Sequence, residues 1–383
     1  MSEFAIASII TGLVLIASMF SVEFGISAAI IEILLGVFAG NVLHMHPTVW
    51  LTFIASFAGI LLTFLAGTEV SPDTLREKFK ESVLIGGLSF LVPGVLAFLL
   101  ARYGLHWTMN ASKITGVALS TTSLAVVYAV LVESSLNKTE LGKIIMAACF
   151  VTDFGTAAAL SLLFLQFNFY TLVFFAFSAL LLIFGPRLIR LFFNRYGNKV
   201  IEPEIKLLFF LLFVASFLGE IGDSQAVLPA FVLGLLMSKY FAKNPHLIRK
   251  LRTVGFAFIT PFFFIKGGMS VNLGDVINNW MITVGLLGAK IIAKIVGVYP
   301  TTRALLPKGG RTFLTLLMST GLTFGTIAST FGLEKGYITK TQFSILISVV
   351  ILSAVVPTII AQRFWSPTTP DNKEELLAGG EEG

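Results

Sequence analysis

The chain has 383 residues, of which 56% are hydrophobic and only 13% charged, and its formal net charge is +6. Soluble domains carry roughly 25% charged residues, so this composition excludes an ordinary water-soluble fold. The single cysteine, Cys149, excludes an internal disulfide, and the basic residues lie between apolar segments with no aromatic-interleaved patch, which excludes nucleic acid as a partner.

Apolar stretches bounded by charges, Pro or Gly give about thirteen spans near the roughly 20 residues a membrane helix needs. They lie near 4–22, 25–44, 48–70, 82–103, 112–133, 140–166, 168–193, 204–221, 225–243, 252–273, 276–303, 312–332 and 342–363. The first has no basic n-region before it and reads as a spanning helix, not a signal peptide. The second carries Glu32, and the third ends in Phe64-Leu65-Ala66-Gly67-Thr68-Glu69. The fifth holds a hydroxyl run, Ser120-Thr121-Thr122-Ser123, and the sixth holds Thr152-Asp153. Lys266 falls in the tenth, Lys290 and Lys294 in the eleventh, and Thr320-Gly321-Leu322-Thr323-Phe324-Gly325-Thr326 interrupts the twelfth. The tail from Ser366 to Gly383 is rich in Pro, Glu and Gly and reads as disordered.

Alternate loops differ sharply in charge. One set runs from Arg76, Lys78 and Lys80 through Lys138 to Arg303, Lys308 and Arg311, while the other holds only Arg102, Lys113, Lys335 and Lys340. The positive-inside rule then puts the amino terminus outside and the tail in the cytoplasm of a multi-pass protein of a plasma or inner membrane. Two segment pairs repeat at one spacing: Ile30 to Gly36 resembles Leu228 to Gly234, and Phe64 to Gly67 resembles Phe264 to Gly267. That spacing is seven spans, and an odd offset inverts the second copy. The expected architecture is a single all-α membrane domain over 1–365, with a first six-helix repeat (1–166), a linker helix (167–203), an inverted second repeat (204–365) and a tail (366–383).

Asp153 stands about halfway along its span, roughly 15–20 Å deep at 1.5 Å per residue. A charge there costs about 2.5–3.5 kcal/mol even on the lenient insertion scale, which marks a functional site. A buried carboxylate sheds that cost by taking up a proton or by coordinating a cation, and in a narrow site the two exclude each other. Competition of that kind is sufficient for coupled exchange. Hard alkali cations prefer oxygen ligands, and Thr152, Ser120, Thr121, Thr122 and Ser123 are the candidates, although such hydroxyls also serve as interhelical glue or bond back to their own helix. Lys266, Lys290 and Lys294 lie at similar depth, and at least one is expected to pair with Asp153 or face a water-filled cavity. Gly321, Thr323 and Gly325 mark a broken helix, the usual pointer to a transport site, and the matching break in the fifth span is inferred without a Gly or Pro to signal it.

In order and spacing these pieces resemble the monovalent cation:proton antiporter superfamily, in the branch of bacterial sodium/proton antiporters and glutathione-gated potassium efflux systems. The resemblance also rests on Ala147 to Asp153, Phe262 to Met269 and Lys294-Ile295-Val296-Gly297. It implies crossed, discontinuous helices in a bundle that moves against a dimerisation scaffold, a homodimer, and exchange of Na+ or K+ for H+ with no cofactor. It assigns Asp153 as carrier, Thr121 and Thr122 to the helix break and Lys294 to the site; Glu32 and Glu69 match family positions of structural or functional use. Electrogenic relatives carry two adjacent aspartates where this chain has Thr152-Asp153, which favours one-for-one exchange. The rival readings are an organic-anion symporter, a cation channel and a membrane enzyme. The phenylalanines Phe262-Phe263-Phe264 crowd the crossing against the first, a channel needs no titratable centre, and no metal-binding helix motif, nucleophile elbow or phosphate loop supports the third.

Overall fold

The computed structural model describes residues 2–24, 27–69, 77–134, 136, 139–164, 169–197, 199, 201–221, 226–306 and 310–365. The tail from Ser366 and the loop residues Arg76, Lys138 and Lys308 fall outside these. Every regular element among the described residues is helical, and seven helices are long and apolar enough to cross a membrane.

The chain begins with α1 (Glu3–Phe24), α2 (Ala28–Asn41) and α3 (Val49–Thr68), followed by α4 (Phe79–Leu99), which runs into a π turn at Leu100–Gly104. The fifth expected span is two helices, α5 (Met109–Ser120) and α6 (Leu124–Glu133). Then come α7 (Glu140–Leu163), α8 (Phe169–Tyr196), α9 (Pro203–Ile221) and α10 (Val227–Lys243). The tenth expected span is composite: the amphipathic α11 (Pro245–Val254), a π turn at Gly255–Ile259, and α12 (Thr260–Met269). After α13 (Leu273–Asn278) and α14 (Trp280–Leu305), the twelfth span is again divided, into α15 (Arg311–Leu317) and α16 (Thr323–Glu334), and α17 (Lys340–Trp365) closes the fold. Threonine hydroxyls start several of these helices: Thr48 accepts from the Leu51 amide, Thr108 from Ala111 and Thr139 from Gly142. Each satisfies one of the amides that a helix start leaves without an intrahelical partner.

Packing sorts the helices into two bundles. In one, α4 lies against α5, α7 and α14, while α15 and α16 pack with α17. In the other, α2 packs on α12, α3 on α10, and α8 on α9 and α10. Glycines set the two tightest crossings of the second bundle. A Cβ on Gly36 of α2 would strike the carbonyl of Ile265, and one on Gly268 of α12 would strike that of Ile33. In the same way Gly67 of α3 abuts the carbonyl of Phe231, and Gly234 of α10 abuts that of Phe64. In lipid there is no hydrophobic drive between helices, so small residues that let backbones touch supply the packing energy.

The outer surface is apolar. On α8 the residues Phe174, Ser178, Leu181, Gly185, Ile189 and Phe193 form one buried stripe, while Leu172, Leu180, Ile183, Phe184, Leu188 and Leu191 point outward, more than half exposed. A monomer in water would not display such a face; hydrocarbon or a second apolar surface accepts it without cost.

Candidate functional site

The two interrupted spans meet at their breaks. In the first, Thr121 is extended (φ −66°, ψ 156°) where the helix of Ser120 ends. Local hydroxyl bonds replace the lost ladder: Ser120 Oγ donates to the Val117 carbonyl at 2.8 Å, and Thr121 Oγ1 to that of Ala118 at 3.0 Å. Thr122 Oγ1 instead crosses to the Met318 carbonyl at 3.0 Å, and Thr320 Oγ1 accepts from the Ser123 amide at 3.4 Å. A hydroxyl run therefore breaks this helix without Gly or Pro, by offering its backbone other partners. In the second break, Gly321 is required by proximity: a Cβ there would lie 2.8 Å from Thr121 Oγ1 and would collide with Lys290 Nζ. Gly325 likewise approaches α5, where a Cβ would lie 3.1 Å from the Ala118 carbonyl.

Breaking two helices at one place exposes four helix ends with partial charges. At the negative ends stand lysines. Lys294, fully buried on α14, donates to the Ser120 carbonyl at 2.8 Å, to Ser89 Oγ at 2.9 Å and to Thr122 Oγ1 at 3.0 Å. Lys290, one turn earlier, donates to Ser353 Oγ at 2.9 Å, and that hydroxyl lies 3.3 Å from the Gly321 carbonyl. Near the positive ends is Asp153. It is 2% exposed on α7 and lines a cavity of about 210 Å³ together with Leu124, which opens α6, and Thr323, which opens α16. Its Oδ1 has no hydrogen-bond partner among the described residues. Paired helix N-termini favour an anion at this point, and an orphaned carboxylate oxygen beside a cavity favours a cation or a proton.

Glu32 of α2 and Glu69, the C-cap of α3, line the same cavity. Glu69 is paired with Arg252 at 3.3 Å. The carboxylates do not converge on one point, since no group of three or more His, Cys, Asp or Glu among the described residues is placed to hold a metal ion.

A family model described as the transmembrane part of sodium/hydrogen exchangers matches residues 7–366. The chain belongs to the sodium/hydrogen exchanger family. This exchanger-family chain is 28% identical over 351 residues to the probable Na(+)/H(+) antiporter 3 of Methanocaldococcus jannaschii, covering 88% of this chain and 89% of that one. It is 26% identical over 376 residues to a Na(+)/H(+) antiporter of Enterococcus hirae, covering 91% and 94%. It is also 25% identical over 342 residues to the glutathione-regulated potassium-efflux protein KefC of Shigella sonnei, covering 84% of this chain and 54% of that one. The fold resembles that of the sodium proton antiporter MjNhaP1 from Methanocaldococcus jannaschii, with a TM-score of 0.72 at 13% identity, covering 95% and 98% of the two chains.

Within this exchanger fold most of the residues singled out in the sequence come together. Asp153, Thr121, Thr122, Ser120, Ser123, Gly321, Thr323, Gly325, Lys290 and Lys294 surround the crossing. Thr152 is adjacent, but its hydroxyl donates to the Cys149 carbonyl of its own helix at 2.7 Å. Cys149 itself is buried against the Met318 sulfur, a packing position. Of the two expected placements, a lysine paired with Asp153 or a lysine facing a cavity, neither occurs at Asp153: among the described residues no lysine comes within ion-pair distance of it and none lines its cavity. Lys290 and Lys294 serve backbone and hydroxyl acceptors instead, because the exposed carbonyls of the breaks lie within their reach. Lys266 is elsewhere, paired with Glu334 at 2.6 Å where α12 of one bundle meets α16 of the other. Glu334, Ser89 and Ser353, and the pairing of the loop residue Arg252 with Glu69, are not apparent from the sequence. A charge at the end of an apolar segment, or a lone serine inside one, is ordinary until its partner is known.

Proposed function

We propose that the chain exchanges a monovalent cation for protons across a membrane by alternating access, with Asp153 as the group for which the two compete. The carrying observation is the orphaned Asp153 Oδ1, buried in apolar helices yet lining a cavity between two helix N-termini. An ionised carboxylate so placed is too costly to persist alone, so each of its stable forms holds a proton or a cation. A channel has no use for that alternation. Sodium is the first choice of cation, lithium the second, because two of the similar proteins above are named as Na(+)/H(+) antiporters. Potassium is the alternative reading, favoured by the similarity to KefC.

The mechanism divides along the bundles. Asp153, both breaks and both lysines belong to the bundle of α4–α7 and α14–α17, which carries the ion past the scaffold of α1–α3, α8–α10 and α12. Aromatic contacts at the seam, such as Phe150 stacked on Phe231 at 5.3 Å and Phe324 edge-on to Phe231 at 6.0 Å, can slide more readily than hydrogen-bonded ones. The outward apolar face of α8 suits a homodimer within the bilayer. Inverted repeats are supported by the reciprocal glycine contacts, in which α2 on α12 mirrors α10 on α3, with Gly268 rather than Gly267 answering to Gly67. The single domain over 1–365, the outer amino terminus and the cytoplasmic tail are kept from the charge pattern of the loops.

With Thr152-Asp153 at the helix crossing in place of two adjacent aspartates, exchange is one-for-one and electroneutral. Purified protein in liposomes with an acid interior tests both points, each of Na+, Li+, K+ and Rb+ being added outside while a dye follows internal pH. Sodium and lithium are expected to collapse the gradient, with no sodium-driven transient current on solid-supported membranes at equal pH. A best response to potassium selects the alternative cation, a sizeable current refutes electroneutrality, and no response to any cation refutes the exchange itself.

A further inference from the structure

Asp153 is not the only unpartnered carboxylate in its cavity. Glu32, on α2, is 5% exposed and lines the same space. Among the described residues its side chain makes no hydrogen bond or ion pair, whereas the third carboxylate there, Glu69, already has Arg252. Two buried acidic groups thus face one cavity whose lining includes no basic side chain among the described residues, and Lys290 and Lys294 are spent on the helix breaks. The cavity, at about 210 Å³, holds several waters or a partly hydrated ion. Ser27, Thr260 and Thr323 add oxygen atoms to its wall, the ligand type that hard cations prefer.

The two carboxylates sit on opposite sides of the seam. Glu32 belongs to the bundle of α2 and α12, and Asp153 to that of α4 and α7. We propose that Glu32 is a second cation site, a waiting position in which a monovalent cation is held by Glu32 and neighbouring oxygens before it passes to Asp153. The proposal rests on the exchange reading of Asp153. Because Glu32 stays with the scaffold when the other bundle moves, it serves only the face to which this cavity leads. That face is the one carrying Ser27, Glu69 and Arg252, cytoplasmic in the orientation argued above. Glu32 therefore alters entry and release of the cation on one side and leaves the stoichiometry to Asp153.

Sidedness is what a merely structural carboxylate would not produce. Sodium dependence of proton exchange is measured in everted and in right-side-out membrane vesicles for the wild type, Glu32→Gln, Glu32→Asp and Asp153→Asn, with potassium in parallel. For Glu32→Gln the expected result is a rise of about three- to tenfold in the apparent KM for sodium at the cytoplasmic face, with the external KM within about twofold of wild type. Glu32→Asp, which keeps the charge, is expected to fall between the two, and it decides by the same comparison if the Gln variant is not recovered folded. An unchanged KM at the cytoplasmic face, or an equal rise at both faces, overturns the proposal. Full exchange by Asp153→Asn would instead remove the reading on which it rests.

Discussion

Asp153→Asn is expected to reduce cation-driven proton movement in liposomes to below about 1% of wild type, because the amide can neither release a proton nor neutralise an alkali ion. The same substitution is expected to leave the melting temperature of the purified protein unchanged or raised. Asp153 Oδ1 makes no hydrogen bond that the amide would lose, and the carboxylate forms no ion pair among the described residues. The amide replaces a group that must hold a proton or a cation to stay buried, so the substitution relieves the cost of ionisation there and sacrifices no partner. Transport and stability should therefore move independently, and a variant that lost both would show that Asp153 holds helices together. Asp153→Glu keeps the chemistry but displaces the oxygens by a methylene, so it should retain partial exchange with a weakened apparent cation affinity.

Lys294→Met should behave in the opposite way and lose both exchange and stability. Its ammonium is fully buried and answers three acceptors, of which the Ser120 carbonyl is the one that cannot rotate to another donor. Leaving that carbonyl unsatisfied costs about 1–3 kcal/mol, and losing a cation at a partly buried helix C-terminus costs up to about 2 kcal/mol more. Against this stands the relief of burying a charge, which in some proteins makes an apolar replacement neutral or stabilising. The loss should prevail, because the exposed helix end remains when the lysine is gone. Lys266→Met is the internal comparison. Lys266 is buried, but its partner Glu334 is 36% exposed and keeps the Ser56 hydroxyl at 3.2 Å, so the carboxylate left behind is still solvated and the loss is smaller than for Lys294→Met. Thermal melts in detergent of both variants check the ranking; a Lys294→Met protein as stable as the wild type would contradict the role given to the helix breaks.

What was legible in the sequence was whatever violates the economics of a membrane. Asp153 stands out because a lone charge in the middle of a long apolar segment has no cheap explanation. The second break is readable from Gly321 and Gly325, whereas the first has neither Gly nor Pro and could be inferred only from its place and its hydroxyls. The structure gives those hydroxyls their reason, since Thr121 and Thr122 take over bonds that the backbone forgoes. Less was readable about partners. The depth of a lysine does not say what it reaches, and Lys266, Lys290 and Lys294, alike in sequence, end on a carboxylate, a hydroxyl and a carbonyl respectively. The doublet Gly267-Gly268 illustrates the same limit. Sequence similarity aligned its first glycine with Gly67, but the glycine in backbone contact with α2 is the second. Pairing across the seam, as between Lys266 and Glu334, depends on helices 68 residues apart and leaves no local trace.

Proton release on cation binding tests the central claim most directly. Purified protein in weakly buffered detergent, held at a pH where the site is largely protonated, is mixed with saturating sodium or lithium while a dye follows free protons. Competition at Asp153 predicts about one proton released per chain by the wild type, since binding to a deprotonated ligand must expel its proton, and none by Asp153→Asn. Cation binding without proton release in the wild type, or the same release from Asp153→Asn, would contradict it.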